Sequence, residues 1–183
     1  MTEQIVVEFK ETPTIWHKII PMFLAIGVII ADQITKLLVI TNIPLYTVKA
    51  SFFGDFLRIV HVRNLGAAFS MGATFSQTMR AVALLIVPLI VLIIVIGIYF
   101  RNNDFSGFQR WMICGVIGGG FGNLIDRFFR PAGVVDFIDV KFYGLFGFER
   151  FPTFNVADSF ITVCGILLVI SFLHAMKNEG AKK

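Results

Sequence analysis

The chain has 183 residues, of which 56% are hydrophobic and only 15% charged, and its mean hydropathy is +0.80. Soluble domains are about half apolar and about a quarter charged, so this balance excludes an ordinary soluble globule and points to lipid. A net charge of +4 with no basic run outside the tail excludes a nucleic-acid binder.

The length suits one domain, residues 1–183. At its start, Glu3, Glu8 and Glu11 sit beside Lys10 and Lys18. The apolar run that follows is too long for a signal peptide and lacks a small-residue cleavage site, so it reads as a span that stays. Four stretches approach the ~20 apolar residues needed to cross hydrocarbon: about 19–40, 81–100, 111–129 and 155–175. The second carries nothing ionisable between Arg80 and Arg101, and its Pro88 is tolerable in a membrane helix. Between the first two spans, Ser51–Arg63 is rich in aromatic and β-branched residues and fits a short strand in part. Asn64-Leu65-Gly66 then reads as a turn. Between the last two, Lys141–Phe151 mixes aromatics, glycines and charges, as a segment lying on the bilayer would. Cys114 and Cys164 lie in apolar runs and read as packing thiols.

Ionisable groups in the other three spans mark a functional site, because burying them in lipid is costly. Asp32 and Lys36 fall late in the first span; Asn123, Asp126 and Arg127 end the third; Asn155 and Asp158 begin the fourth. Successive spans alternate direction, so all seven share one side of the membrane with the two long connections. Asp32 and Lys36, four apart, can pair on one face. Gly115, Gly119, Gly122 and Asp126 form a second face, and Asn155, Asp158, Thr162 and Gly165 a third. Small-residue faces let helices approach closely. On the terminal side, Lys10, Lys18, Arg101, Arg110, Lys177, Lys182 and Lys183 crowd the span ends. That puts both termini in the cytoplasm and the polar cluster toward the outer leaflet.

Five ordered blocks carry a resemblance to a known family: ADQITK (31–36), VRNLGAAFS (62–70), GNLIDR (122–127), VVDF (134–137) and FNVADSFI (154–161). They resemble the lipoprotein signal peptidases (signal peptidase II). The resemblance implies an all-α membrane fold of four spanning helices with a small extracytoplasmic β-cradle and an interfacial amphipathic helix. It implies a bacterial inner-membrane aspartyl endopeptidase acting on prolipoproteins. The signal peptide would be cut off just before a cysteine carrying a diacylglyceryl group. By the motif match the catalytic pair is Asp136 and Asp158. Asp32, Lys36, Asn64, Asn123, Asp126, Arg127 and Asn155 would bind substrate or support the site.

The chemistry agrees with that pair. Two neighbouring carboxylates cannot both ionise easily, so they share a proton and can supply both a base and an acid. No serine or cysteine has a histidine partner in a recognisable motif, and His17, His61 and His174 have no zinc-ligand spacing, so no cofactor or metal is expected. Each residue also has a structural reading. Asn155 and Asp158 match a helix N-cap with an acidic third residue, and Asp136 could be a solvated loop acid like Asp139. Asp126 and Arg127 could form an ion pair that braces Asp136 and holds its loop, and Lys36 could reach lipid headgroups. The rival function is a small transporter or proton channel, but the polar groups sit at one end and the halves show no inverted repeat. The expected partners are lipid-modified precursors and membrane lipid, acting on a monomer.

Overall fold

The computed structural model describes residues 14–66, 71 and 74–180. Helix α1 covers Ile15–Asn42, and its buried positions (Lys18, Pro21, Ala25, Val28, Asp32, Lys36 and Val39) recur every three or four residues. That period makes one stripe of a 3.6-residue helix. Its other faces expose Ile20, Phe23, Ile30, Ile34, Leu37 and Leu38, a surface fit only for hydrocarbon.

The second span is a continuous rod over Gln77–Arg101, made of α2 (Gln77–Ala81), a π-turn (Val82–Ile86) and α3 (Val87–Arg101). Pro88 accounts for the π-turn. A proline ring clashes with the carbonyl four residues back, at Leu84, and widening that turn relieves the clash without breaking the rod.

Helix α4 (Gly107–Phe129) opens on a reciprocal cap between Ser106 and Gln109. It is the centre of the bundle. A β-carbon added at Gly118 would lie 2.7 Å from the Ala25 carbonyl oxygen of α1. At Gly119 it would lie 2.5 Å from the Ala157 oxygen, and at Gly120 2.8 Å from Leu92. Three neighbours therefore press on its glycine faces. Helix α5 (Val156–Gly180) packs through Ala157, Ile161 and Cys164, the last against Gly115. Gly165, which the sequence pattern put on that face, has nothing within 4 Å of its would-be side chain.

Among the described residues, three helical stretches are long and apolar enough to cross a membrane: Ile15–Asn42, Gln77–Arg101 and Val156–Asn178. The stretch expected at 111–129 is helical but does not meet that measure. Its faces are glycine, Gln, Asn and Asp because α4 packs on protein along much of its length.

A three-stranded antiparallel sheet, ordered β1 (Val48–Phe52), β2 (Leu57–Asn64), β3 (Val134–Val140), caps one end of the bundle. Val39 of α1 and Ile43 just past its end pack with Val135 and Phe137 of β3 and tie the sheet to the helices. Beyond β3 the second connection holds one 3-10 turn, Leu145–Gly147. Ala67–Ser70 of the second sequence block lie outside the described residues.

Candidate active site

The polar residues of three helices and two strands converge where the sheet meets the bundle. Asp136 lies in β3, opposite Val62 of β2. It is a strand residue only 2% exposed, which corrects its reading as a solvated loop acid. Asp139 is not solvated either; both its oxygens accept from Arg150 Nε, at 2.7 and 2.8 Å. Strand pairing sets the height of Asp136 above the bundle. Gly133 permits the turn before the strand, at φ +101, where a β-carbon would meet the Asn64 oxygen at 2.6 Å.

Asn155 and Asp158 form the reciprocal cap expected of their spacing. Asn155 Oδ1 accepts from the Asp158 amide at 2.9 Å, and Asp158 Oδ2 accepts from the Asn155 amide at 3.2 Å. The Asn155 side chain does more than cap. Its Nδ2 donates to Asp136 Oδ1 at 2.7 Å and to Asn123 Oδ1 at 3.1 Å, linking the two carboxylates through one residue. Asn64 Nδ2 donates to Asp136 Oδ2 at 3.1 Å, and Asn123 Nδ2 to Asp158 Oδ1 at 2.7 Å. Each carboxylate is thus aimed by amides and still faces a common cavity of about 800 Å³. Phe151, Phe154, Ile161 and Val163 are its apolar walls, and Arg127 lines it as well.

Burial, and then the negative charge of Asp158, push the Asp136 carboxyl up to about 7. The Asn64 and Asn155 amides favour its charged form and only partly offset this.

Beneath the pair lies a buried ionic layer. Lys36 Nζ sits 2.8 Å from Asp32 Oδ2, 3.3 Å from Asp126 Oδ2 and 3.0 Å from Asn123 Oδ1, with no solvent exposure. It does not reach headgroups, because two carboxylates hold it in the core. Asp32 Oδ1 accepts from the Ala157 amide at 3.0 Å, so α1 caps α5. Asp126 Oδ2 accepts from the Val135 amide at 2.9 Å, one residue before Asp136, which is the bracing expected of it. Its guanidinium partner, however, is Arg130 and not Arg127. Adjacent helix residues point apart, whereas i and i+4 share a face. Arg127 instead donates to the Gly66 carbonyl at 2.8 Å and pins the turn after β2.

Gln33 and Arg130 escaped the sequence reading. Gln33 Nε2 donates to the Gly122 oxygen at 3.0 Å and to Asp126 Oδ1 at 3.1 Å, and its Oε1 accepts from Arg130 at 3.0 Å. A glutamine inside an apolar span, next to Asp32, was the available signal. Among the described residues no group of three His, Cys, Asp or Glu could hold a metal.

The chain is similar to known proteins over most of its length. The family model described as signal peptidase (SPase) II matches residues 24–174. A lipoprotein signal peptidase of Treponema pallidum (strain Nichols) is 54% identical over 166 residues, which cover 91% of this chain and 89% of that one. One from Treponema denticola is 49% identical over 89% of this chain and 94% of its own. A solved bacterial membrane enzyme superposes with a TM-score of 0.74 at 32% identity, covering 87% of this chain and 90% of the other.

Proposed function

The chain belongs to the signal peptidase II family, the aspartic peptidases that release signal peptides from prolipoproteins, and we propose that its hydrolytic pair is Asp136 and Asp158. The observation that carries this is Asn155, hydrogen-bonded to both carboxylates at the wall of one cavity. In the reaction, Asp158 takes a proton from water while the water oxygen adds to the scissile carbonyl. Asp136, holding the shared proton, donates to that carbonyl's oxygen, and the collapsing intermediate passes a proton to the leaving amine as the C–N bond breaks. Asp136 suits the acid role because burial keeps its proton on near neutral pH. Asp158 suits the base role because it lies in the first turn of α5, where the positive end of the helix dipole favours negative charge.

Around this pair, α4 serves as a fourth crossing, shielded from lipid by its neighbours. The site end faces the outer leaflet of a bacterial cytoplasmic membrane, with both termini in the cytoplasm. The cysteine to be exposed carries a diacylglyceryl group whose chains follow the apolar cavity wall into lipid, and the enzyme works as a monomer. The supporting residues Asp32, Lys36, Asn64, Asn123, Asp126, Arg127 and Asn155 position the pair and the turns around it.

The test is cleavage of a diacylglyceryl-modified precursor by the purified chain. Asp136→Asn and Asp158→Asn should each abolish turnover while the protein stays folded and inserted. Substantial activity in either variant would remove that residue from the chemistry.

A further inference from the structure

Beside the cleft lies a second cavity, of about 520 Å³, which shares Asn64 and Arg127 with it but neither of the two aspartates. Among the described residues three guanidinium groups line it, those of Arg80, Arg127 and Arg130, and no carboxylate does. Their internal pairing is incomplete. Arg130 leans on Asp126, which Lys36 already holds, and Arg127 spends one nitrogen on the Gly66 carbonyl. Arg80 is partly exposed and has no carboxylate within 4.0 Å among the described residues. Beyond Arg80 the lining turns apolar: Leu84 and Leu85 sit in the π-turn, one turn further along the spanning rod. Charge at one end of a pocket and aliphatic wall along the membrane axis match an amphiphile.

We propose that this cavity binds the phosphate headgroup of an anionic phospholipid between Arg80, Arg127 and Arg130, with an acyl chain along Leu84 and Leu85. Guanidinium forks match phosphate oxygens in pairs, which a point charge does not. A zwitterionic headgroup brings its own cation into the same cluster and binds less well. The prolipoprotein's glyceryl-cysteine bears no phosphate, so the ligand is distinct from the substrate. Bound there, the lipid bridges α2, the end of α4 and the turn at Gly133, which are the elements that set β3 and Asp136. The inference rests on the rod Gln77–Arg101 lying in a membrane, not on the assignment of the catalytic pair.

Native mass spectrometry of the full chain in neutral detergent reads this directly. Phosphatidylglycerol and phosphatidylcholine are offered in turn, and soluble glycerophosphoglycerol is added as a competitor. Phosphatidylglycerol should be retained at least about fivefold better than phosphatidylcholine, the scale of one guanidinium at an anionic lipid surface. Arg80→Gln should remove most of that preference and Arg80→Lys should keep much of it, while both cleave a lipidated precursor in neutral detergent at the wild-type rate. An undiminished preference in Arg80→Gln overturns the site. Competition by glycerophosphoglycerol as effective as by whole lipid overturns the acyl contact and leaves only a phosphate site. Lipid retention is read without turnover, so inactive wild-type protein would count against the peptidase reading alone.

Discussion

Replacing Lys36 with methionine removes the cation that the ionic layer is built around while keeping the length of the side chain. In the folded protein its ammonium is fully buried and contacts Asp32, Asp126 and Asn123 at 2.8, 3.3 and 3.0 Å. Asp126 keeps Arg130 and the Val135 amide. Asp32 keeps only neutral donors, Gln33 and the Ala157 amide, and so becomes a buried charge without a counter-charge. Breaking a buried pair from one side costs about 3–5 kcal/mol. For a chain of this size that corresponds to a drop in Tm of roughly 6–20 °C. Thermal unfolding of the detergent-purified protein measures it. The double variant Lys36→Met/Asp32→Asn, which removes the stranded charge as well, should regain a large part of the loss. A single variant that melts within about 2 °C of wild type, or a double variant no better than the single, would show that the pair contributes nothing to holding α1, α4 and α5 together.

Activity should fall as pH rises through about 7, because the proton held by Asp136 is then lost; a rate flat from pH 6 to 9 would contradict the acid role. The same shift has a stability sign. Asp136 keeps its proton in the folded state from its ordinary value of 3.8 up to about 7, whereas the unfolded chain gives it up. The group therefore lowers stability progressively across that window, by an upper bound of about 4 kcal/mol, and chemical-denaturant midpoints at pH 4.5 and pH 8 should show the decline. Gly119→Leu should separate α4 from α5, since even a β-carbon there lies 2.5 Å from the Ala157 oxygen; a loss of about 2 kcal/mol or more is expected, with Gly165→Leu near neutral as the control, because that position is open. With no cluster of metal-binding side chains among the described residues, EDTA should leave turnover unchanged, and zinc-restorable loss would refute a two-carboxylate mechanism.

Hydrophobic runs and the costliness of ions in lipid were enough to locate the helices, their polar end and Asp32, Asp126 and Asp158 near it, because these are properties of a residue and its close neighbours in the chain; Asp136 stood out only through its motif. The Asn155–Asp158 cap was legible for the same reason, being contained in four residues. Pairing between elements was not. Asp126 bonds Arg130 and Lys36 and not Arg127, a choice set by helical phase and by the approach of α1. Lys36 was free in sequence terms to reach lipid headgroups; only the convergence of Asp32, Asp126 and Asn123 from two helices draws it inward. Gly119 and Gly165 look alike in the chain, yet one meets a backbone oxygen and the other open space. Above all, Asp136 is 22 residues from Asp158 with nothing local to join them. The strand pairing of β3 with β2, its anchorage on Val39 and Ile43, and the single side chain of Asn155 bring the two carboxylates to one cavity. Local pattern determined which groups are costly to bury; the packing of distant segments decided which of them share a charge.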